Sequence, residues 1–289
     1  MTDLRTSSKV PHAEFFPRPA GEGWFRLWRR RVADDRREMI RYWPVIHNLV
    51  AQELRVRYQR SALGFFWTLL NPILMMTTMT LVFSQLFHME AQSYSIFLFA
   101  GMVPWSFLAG SLNDSAYCII ANESLIRKIY LPKLVFPVSK VLINLITFLL
   151  SMAAMFVLLG PLGARPSWPM LLLPLTIVLY FGFVLGLSLT LATANTFFRD
   201  CGHLVSVFLQ AWYFLTPIIY DAALMPESVR ARFWLNPAYP FIKLFQTIIR
   251  DGEWPDPTTF LLAGGLATVS LGVGYVVFKA NEDKLVFRL

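Results

Sequence analysis

Charge is scarce in this chain: only 15% of its 289 residues are Asp, Glu, Lys or Arg, and those fall in clusters. Cysteine is nearly absent. Cys118 and Cys201 lie in different apolar stretches without metal-type spacing, and so read as ordinary small buried residues. The four histidines are scattered and offer no metal cluster. A G-x-x-x-x-G-K-[ST] phosphate loop is missing, so the chain does not bind ATP in the Walker manner. Neither a nucleophile elbow nor a paired-carboxylate site is present. Ionisable groups are also missing from the long apolar runs, except for Asp114. Ion-coupled transporters place such groups inside the bundle because the coupling ion needs a partner there. A lone Asp near a helix end can equally cap or pair locally. Residues 1–60 carry too many charges for a signal peptide, which leaves targeting to the first span.

What is present is apolar. Hydrophobic residues make up 56% of the chain and mean hydropathy is +0.51, beyond what a soluble globular domain carries. A helix needs about 20 mainly apolar residues to cross the hydrocarbon core. Six stretches qualify: Ser61 to Phe87, Tyr94 to Ile120, Val141 to Gly160, Pro169 to Asn195, Leu204 to Tyr220 and Thr258 to Phe278. The fourth and fifth are separated at Phe198-Arg199-Asp200, the one charged break in that region. The net charge of +8 does not point to nucleic acid, because the basic residues flank the apolar runs rather than alternating with aromatics. With the N-terminus inside, 21 of the 26 Lys and Arg fall on inner segments, and 5 (Arg165, Arg230, Arg232, Lys243 and Arg250) on outer ones. That bias places both termini in the cytoplasm.

Three further segments do not span. Trp24, Leu27, Trp28, Val32, Met39, Ile40 and Trp43 fall on one helical face, with Arg29, Arg30, Arg36 and Arg37 around the other side. Such a helix lies in the membrane interface. Pro44 restarts a second amphipathic stretch that ends in Arg55, Arg57, Tyr58 and Arg60. Between Asp221 and Asp256, the apolar pieces at 233–235 and 241–249 are too short to span and suit short re-entrant outer helices.

The stretch from Glu53 to Pro72 (ELRVRYQRSALGFFWTLLNP) resembles the approach to the first span in type-2 ABC-transporter permeases, in particular exporters of O-antigen, capsular polysaccharide and teichoic acid. Other pieces match in order: Gly101 to Phe107 (GMVPWSF), Asn122 to Pro132 (NESLIRKIYLP), Phe198-Arg199-Asp200, Gln210 to Tyr220 (QAWYFLTPIIY) and Leu235 to Tyr239 (LNPAY). The resemblance covers roughly residue 45 to the C-terminus. Two departures are an N-terminus about forty residues long and Lys243, where the family often has an acidic side chain. The resemblance implies a homodimer above two nucleotide-binding subunits, which carry the ATP and Mg; this chain needs no cofactor of its own. It also implies a glycan on a polyprenyl pyrophosphate or similar lipid, passing between the protomers.

The same resemblance makes 122–132 the coupling helix, with Glu123, Leu125, Ile126, Arg127, Lys128, Ile129 and Tyr130 meeting the ATPase. An amphipathic helix with Leu125, Ile126 and Ile129 as anchors suits a groove; a plain positive-inside loop is the alternative. Arg55, Arg57, Tyr58 and Arg60 sit at the inner mouth. Guanidinium forks there either draw in the carrier's pyrophosphate or anchor the chain to anionic headgroups. Aromatics make up 15% of the chain. Trp67, Trp105, Phe107, Trp212, Tyr213, Phe214 and Tyr220 are candidates to line the pathway, since apolar sugar faces stack on rings; the competing role is lipid contact or an interfacial belt.

The sequence therefore reads as an all-α integral membrane protein with three parts: a cytoplasmic N-terminal region (1–60), a six-helix permease domain (61–280) and a cytoplasmic tail (281–289). Its expected role is the permease subunit of an ABC exporter for lipid-linked polysaccharide in a bacterial inner membrane. An ABC exporter for a drug or lipid, a membrane-embedded glycan transferase, a secondary transporter and a purely structural membrane protein are the rivals. The transferase would need a convergent acid/base or metal site, and the secondary transporter more intramembrane charge.

Overall fold

The computed structural model describes residues 24–59, 61, 64–88, 90–159 and 167–288. Hydrocarbon offers backbone polar groups no partner, so a spanning chain satisfies them within helices. All regular elements among the described residues are helical. They are α1 (Trp24–Arg41), α2 (Trp43–Tyr58), α3 (Trp67–Leu86), α4 (Ala91–Ala121), α5 (Glu123–Lys128) and α6 (Val135–Leu159), followed by α7 (Leu173–Phe197), α8 (Asp200–Leu215), α9 (Glu227–Phe233), α10 (Tyr239–Gln246) and α11 (Pro257–Val286). A 3₁₀ turn, Trp168–Leu172, leads into α7, and a π-helical turn, Thr247–Asp251, follows α10.

Four of the six expected spans are long and apolar enough to cross a membrane: α4, α6 as far as Val157, the unit Trp168–Phe197, and α11. The other two are helices of lesser reach. α3 offers the shorter apolar stretch Leu70–Leu86, and α8 has 16 residues. At 1.5 Å per residue α4 and α11 each run about 45 Å, well past a core of about 30 Å. α11 continues unbroken to Val286, so residues 281–286, placed in the tail, prolong the last helix. Proline falls where its missing N–H costs little, in the first turn of α2, α7, α10 and α11. Arg60 and Arg165 lie outside the described residues, as do the side chains of 24–32 and of Tyr58.

α4 forms the centre. It packs on α3, α6, α7, α8 and α10, and its middle is lined by buried Phe97, Leu98, Val103, Leu108 and Leu112. Pro104 interrupts its backbone bonding, and the Tyr180 hydroxyl donates to the Pro104 carbonyl at 3.0 Å. α7 and α11 make the tightest seam. A Cβ on Gly274 would lie 2.1 Å from the Gly186 carbonyl oxygen, and one on Gly186 would lie 2.2 Å from the Ser270 backbone. The Ser270 hydroxyl donates across that seam to Phe183 O at 2.8 Å. Small residues let the backbones touch, which replaces the hydrophobic drive that lipid does not supply.

α10 is short yet almost wholly buried, wedged among α4, α7 and α11. Phe241 stacks on Phe183 at 4.7 Å between centroids, and Tyr180 lies 5.1 Å from Phe241. This aromatic plug occupies what is termed the distal end. At the opposite, basal end, Cys118, Ile119, Phe136, Leu189, Phe278 and Leu285 form a second cluster. There α2 lies along α6, with Ile46 and Val50 against Val135 and Ile143.

Candidate functional site

The basal end gathers α1, α2, α5 and the last turns of α11. α5 is the short helix expected to couple, and its residues divide between those packed on the chain and those exposed. Leu125 and Ile126 are half-buried and pack on the chain's own basal cluster, where apolar side chains shed water without a second protein. They anchor α5 on the rest of the chain while part of each side chain stays exposed. The outward set is Arg127, Lys128, Ile129 and Tyr130, with Ile129 54% and Tyr130 80% exposed. Glu123 pairs with Arg127 at 2.8 Å, one turn along the helix. Partial desolvation, with Glu38 and Glu282 nearby, raises the Tyr130 phenol above its ordinary value and keeps it a neutral donor.

Two ionic networks brace this end. In the first, Asp35 of α1 contacts Lys279 at 3.0 Å and accepts from the Tyr275 hydroxyl, while Lys279 donates to Glu282 at 2.6 Å. Glu282 also accepts from the Lys133 backbone N–H at 3.3 Å, tying the segment after α5 to α11. The second network joins α2 to α4 and α6. Lys140 donates to Glu53 at 2.6 Å, Asn144 to Asp114 at 2.8 Å, and Arg57 lies 3.5 Å from Asp114 and 3.9 Å from Glu53. Asp114 is thus a local pairing partner, held by two other helices. Of the expected mouth residues, Arg55 is exposed and unpaired among the described residues, and Arg57 is engaged.

Between the two ends, α4 is flanked by α3 and α8. Met102, Ser106, Ala109 and Asn113 fall at helical spacing along one stripe of it, with Ser106 exposed and the other three half-buried. Ser206 of α8 donates to Asn113 at 3.0 Å, and Asn71 and Gln210 stand exposed on the two walls. A cavity of about 120 Å³ opens beside it between α3, α4 and α6, lined by Asn71, Met75, Phe99, Ser106, Asn144 and Phe148 among others. The aromatic lining set divides. Trp105, Phe107 and Trp212 are 6%, 2% and 8% exposed and belong to the chain's own core, because Trp105 packs edge-on to Trp212 and Phe107 stacks on Phe148. Trp67 and Phe214 are exposed, while Tyr213 and Tyr220 are half-buried.

At the distal end α8 stops at Thr216-Pro217, and the buried chain beyond it is not helical. Carbonyls of this stretch and of the last turn of α8 are nevertheless served. Tyr220 OH donates to Phe214 O at 2.9 Å, Asn236 to Leu215 O at 3.4 Å, Gln246 to Pro217 O at 3.1 Å and Tyr94 OH to Ile219 O at 2.6 Å. Asn236 also accepts from the Trp212 indole at 2.7 Å and donates to Thr216 Oγ1 at 2.9 Å. Lys243 lies 4.9 Å from the centroid of the Trp234 ring, so its charge is met by a π face. Arg250 joins Asp221 at 2.6 Å.

Sequence reading passed over Glu53, Lys140 and Asn144, the Asp35–Lys279 pair, and the carbonyl-serving Tyr94, Asn236 and Gln246. Asn236 did carry a signal, as an Asn-Pro step inside an otherwise apolar stretch.

These features define a multi-helix membrane protein with an outward-facing basic helix at one end and a sealed, aromatic-packed opposite end. A model of the ABC-2 type transporter family matches residues 45–249, and the chain belongs to that family. The O-antigen export system permease protein RfbA of Myxococcus xanthus is 32% identical over 250 residues, covering 86% of this chain and 96% of the relative. A Klebsiella pneumoniae protein of the same name is 30% identical over 240 residues, 82% of this chain and 90% of its own. The polysialic acid transport protein KpsM of Escherichia coli is 20% identical over 250 residues, 83% and 95% respectively. α1 and α11 lie outside the range that the family model matches.

Proposed function

We propose that this chain is the permease subunit of an ABC exporter that carries lipid-linked polysaccharide from the cytoplasm across a bacterial inner membrane. The observation that carries the reading is the 32% identity to an O-antigen export permease across nearly that protein's whole length. In this reading α3 and α8 complete six spans, α10 is re-entrant, and the basal end is cytoplasmic with both termini on that side. Two copies face each other across the stripe of α4 between α3 and α8. Ser106, Asn71 and Gln210 support that placement, since exposed polar groups are costly against lipid but not against a wet conduit. Trp67, Tyr213, Phe214 and Tyr220 remain as rings able to stack on sugar faces.

ATP and Mg²⁺ belong to a separate nucleotide-binding subunit, docked on Arg127, Lys128, Ile129 and Tyr130. The permease performs no bond chemistry. It offers alternating openings to a cargo whose pyrophosphate is received near Arg55 and Arg57, with Tyr58 and Arg60 in the same segment. The test is reconstitution with the ATPase subunit in liposomes holding a fluorescent lipid-linked glycan. ATP-dependent appearance of glycan on the far face is expected. Flipping without ATP, or by the permease alone at the same rate, would refute the assignment.

A further inference from the structure

Arg57 is held unlike the other charges of its network. Charge-assisted N–H···O contacts close to about 2.7–2.9 Å, and Lys140–Glu53 at 2.6 Å and Asn144–Asp114 at 2.8 Å are of that kind. The two Arg57 contacts are not, at 3.5 Å to Asp114 and 3.9 Å to Glu53, and both come from the same Nη2 atom. Each carboxylate therefore has a firm partner of its own. The guanidinium sits between them, neutralised but loosely bonded, with its side chain 34% exposed. Its Nη1 and Nε make no contact with a carboxylate among the described residues. Most of a five-donor fork is left facing outward.

The position of Asp114 gives this arrangement a consequence. α2 rests on α6 through apolar side chains, while Arg57 reaches across to α4. Asp114 lies about two turns before the end of α4 at Ala121, and the chain then enters α5 directly through Asn122. The Arg57–Asp114 contact thus joins the amphipathic helix at the mouth to the helix that carries the coupling segment. Breaking it strands no buried charge, because Asp114 keeps Asn144 and Glu53 keeps Lys140.

We propose that Asp114 is a positioning residue that holds Arg57 as a stand-in for a phosphate, and that a phosphate-bearing lipid displaces it, releasing α2 from α4. The inference rests on the exporter reading and adds to it a sensor: arrival of the anionic headgroup is reported along α4 to α5. A phosphate group wins the exchange because its oxygens engage the guanidinium fork in two parallel bonds and carry more charge than one carboxylate. The shared ligand chemistry is a lipid phosphate, whether a polyprenyl pyrophosphate or an ordinary anionic headgroup.

The test uses the full permease–ATPase complex in neutral-lipid nanodiscs. Spin labels at Gln59, just past the Arg57 end of α2, and Ala121 at the end of α4, both exposed, report their separation. Undecaprenyl pyrophosphate is titrated in one arm and phosphatidylglycerol in the other. The wild type is expected to widen the label distance and raise ATPase activity with the pyrophosphate lipid and not with phosphatidylglycerol. Asp114→Asn is expected to start wide and to reach half-saturation at about two- to fivefold lower pyrophosphate lipid, the worth of a part-exposed ion pair. Arg57→Lys keeps charge but loses the fork, and should close normally yet respond weakly.

An unchanged half-saturation in Asp114→Asn, or no distance change in the wild type, overturns the proposal. An equal response to phosphatidylglycerol overturns cargo sensing, since any anionic leaflet would then spring the latch. If the same nanodisc complex hydrolyses ATP and its liposome counterpart exports glycan while the distance stays fixed, the latch alone has failed. Absence of ATP-driven export from the wild type removes the exporter reading itself.

Discussion

Replacing Asn236 with Ala removes one side chain that ties the distal segment to the end of α8. The amide accepts from the Trp212 indole at 2.7 Å and from the Ala238 backbone at 3.0 Å, and it donates to Thr216 Oγ1 at 2.9 Å. Trp212 is 8% exposed, Ala238 0% and Thr216 1%, so water does not replace what the amide supplied. A buried donor left unpaired costs about 1–3 kcal/mol. Two such donors, the indole and the Ala238 N–H, put the loss for Asn236→Ala at about 2–6 kcal/mol. Asn236→Asp keeps both acceptor contacts and should lose less than Ala. Reversible unfolding in mixed micelles, followed by tryptophan emission, measures the difference. A change under about 0.5 kcal/mol for the Ala variant, the range of an ordinary surface substitution, would show that the distal segment is held by packing alone.

Gly274→Ala should collapse the α7–α11 seam, because the new Cβ lands 2.1 Å from a backbone oxygen; Gly272→Ala, with open space around it, should not. Stable yield after detergent extraction separates the two, and equal yields would refute the close approach. Tyr130→Asp and Ile129→Asp should abolish co-purification of the ATPase subunit while leaving the folded permease intact. Leu125→Asp should instead lower thermal stability, by roughly 2 kcal/mol or more for a half-buried apolar site given a charge. Normal stability of Leu125→Asp would contradict its inward packing. Lys279→Met should free α1, seen as at least tenfold faster amide hydrogen exchange through 33–41, with exchange in α7 unchanged.

The four long apolar helices were legible in the sequence because a single requirement, internal pairing of backbone groups in lipid, governs them. Hence the break at Phe198-Arg199-Asp200 and the restart at Pro44 both fall where composition put them. Faces were harder. An amphipathic six-residue helix such as α5 has an apolar side in either reading, and only the tertiary contact tells whether Leu125 meets its own chain or another protein. Aromatic packing was no easier to read: Trp105 and Trp212 meet edge to face, a pairing between residues more than a hundred positions apart. Networks such as Asp35–Lys279 or Glu53–Lys140 join single charges from distant segments, and no local pattern announces them. The basic loop, by contrast, advertised itself through its charge and motif.

The unwound stretch after α8 changes what motion costs at that end. Swinging an intact buried helix ruptures several backbone bonds together. Here the main chain past Leu215 has left the helical ladder, and separate side chains fasten Pro217 and Ile219, as well as Phe214 and Leu215 in the last turn of α8, one by one. Such a joint yields like a row of buttons, each released and refastened singly, while the glycine-welded pair beside it travels as one beam.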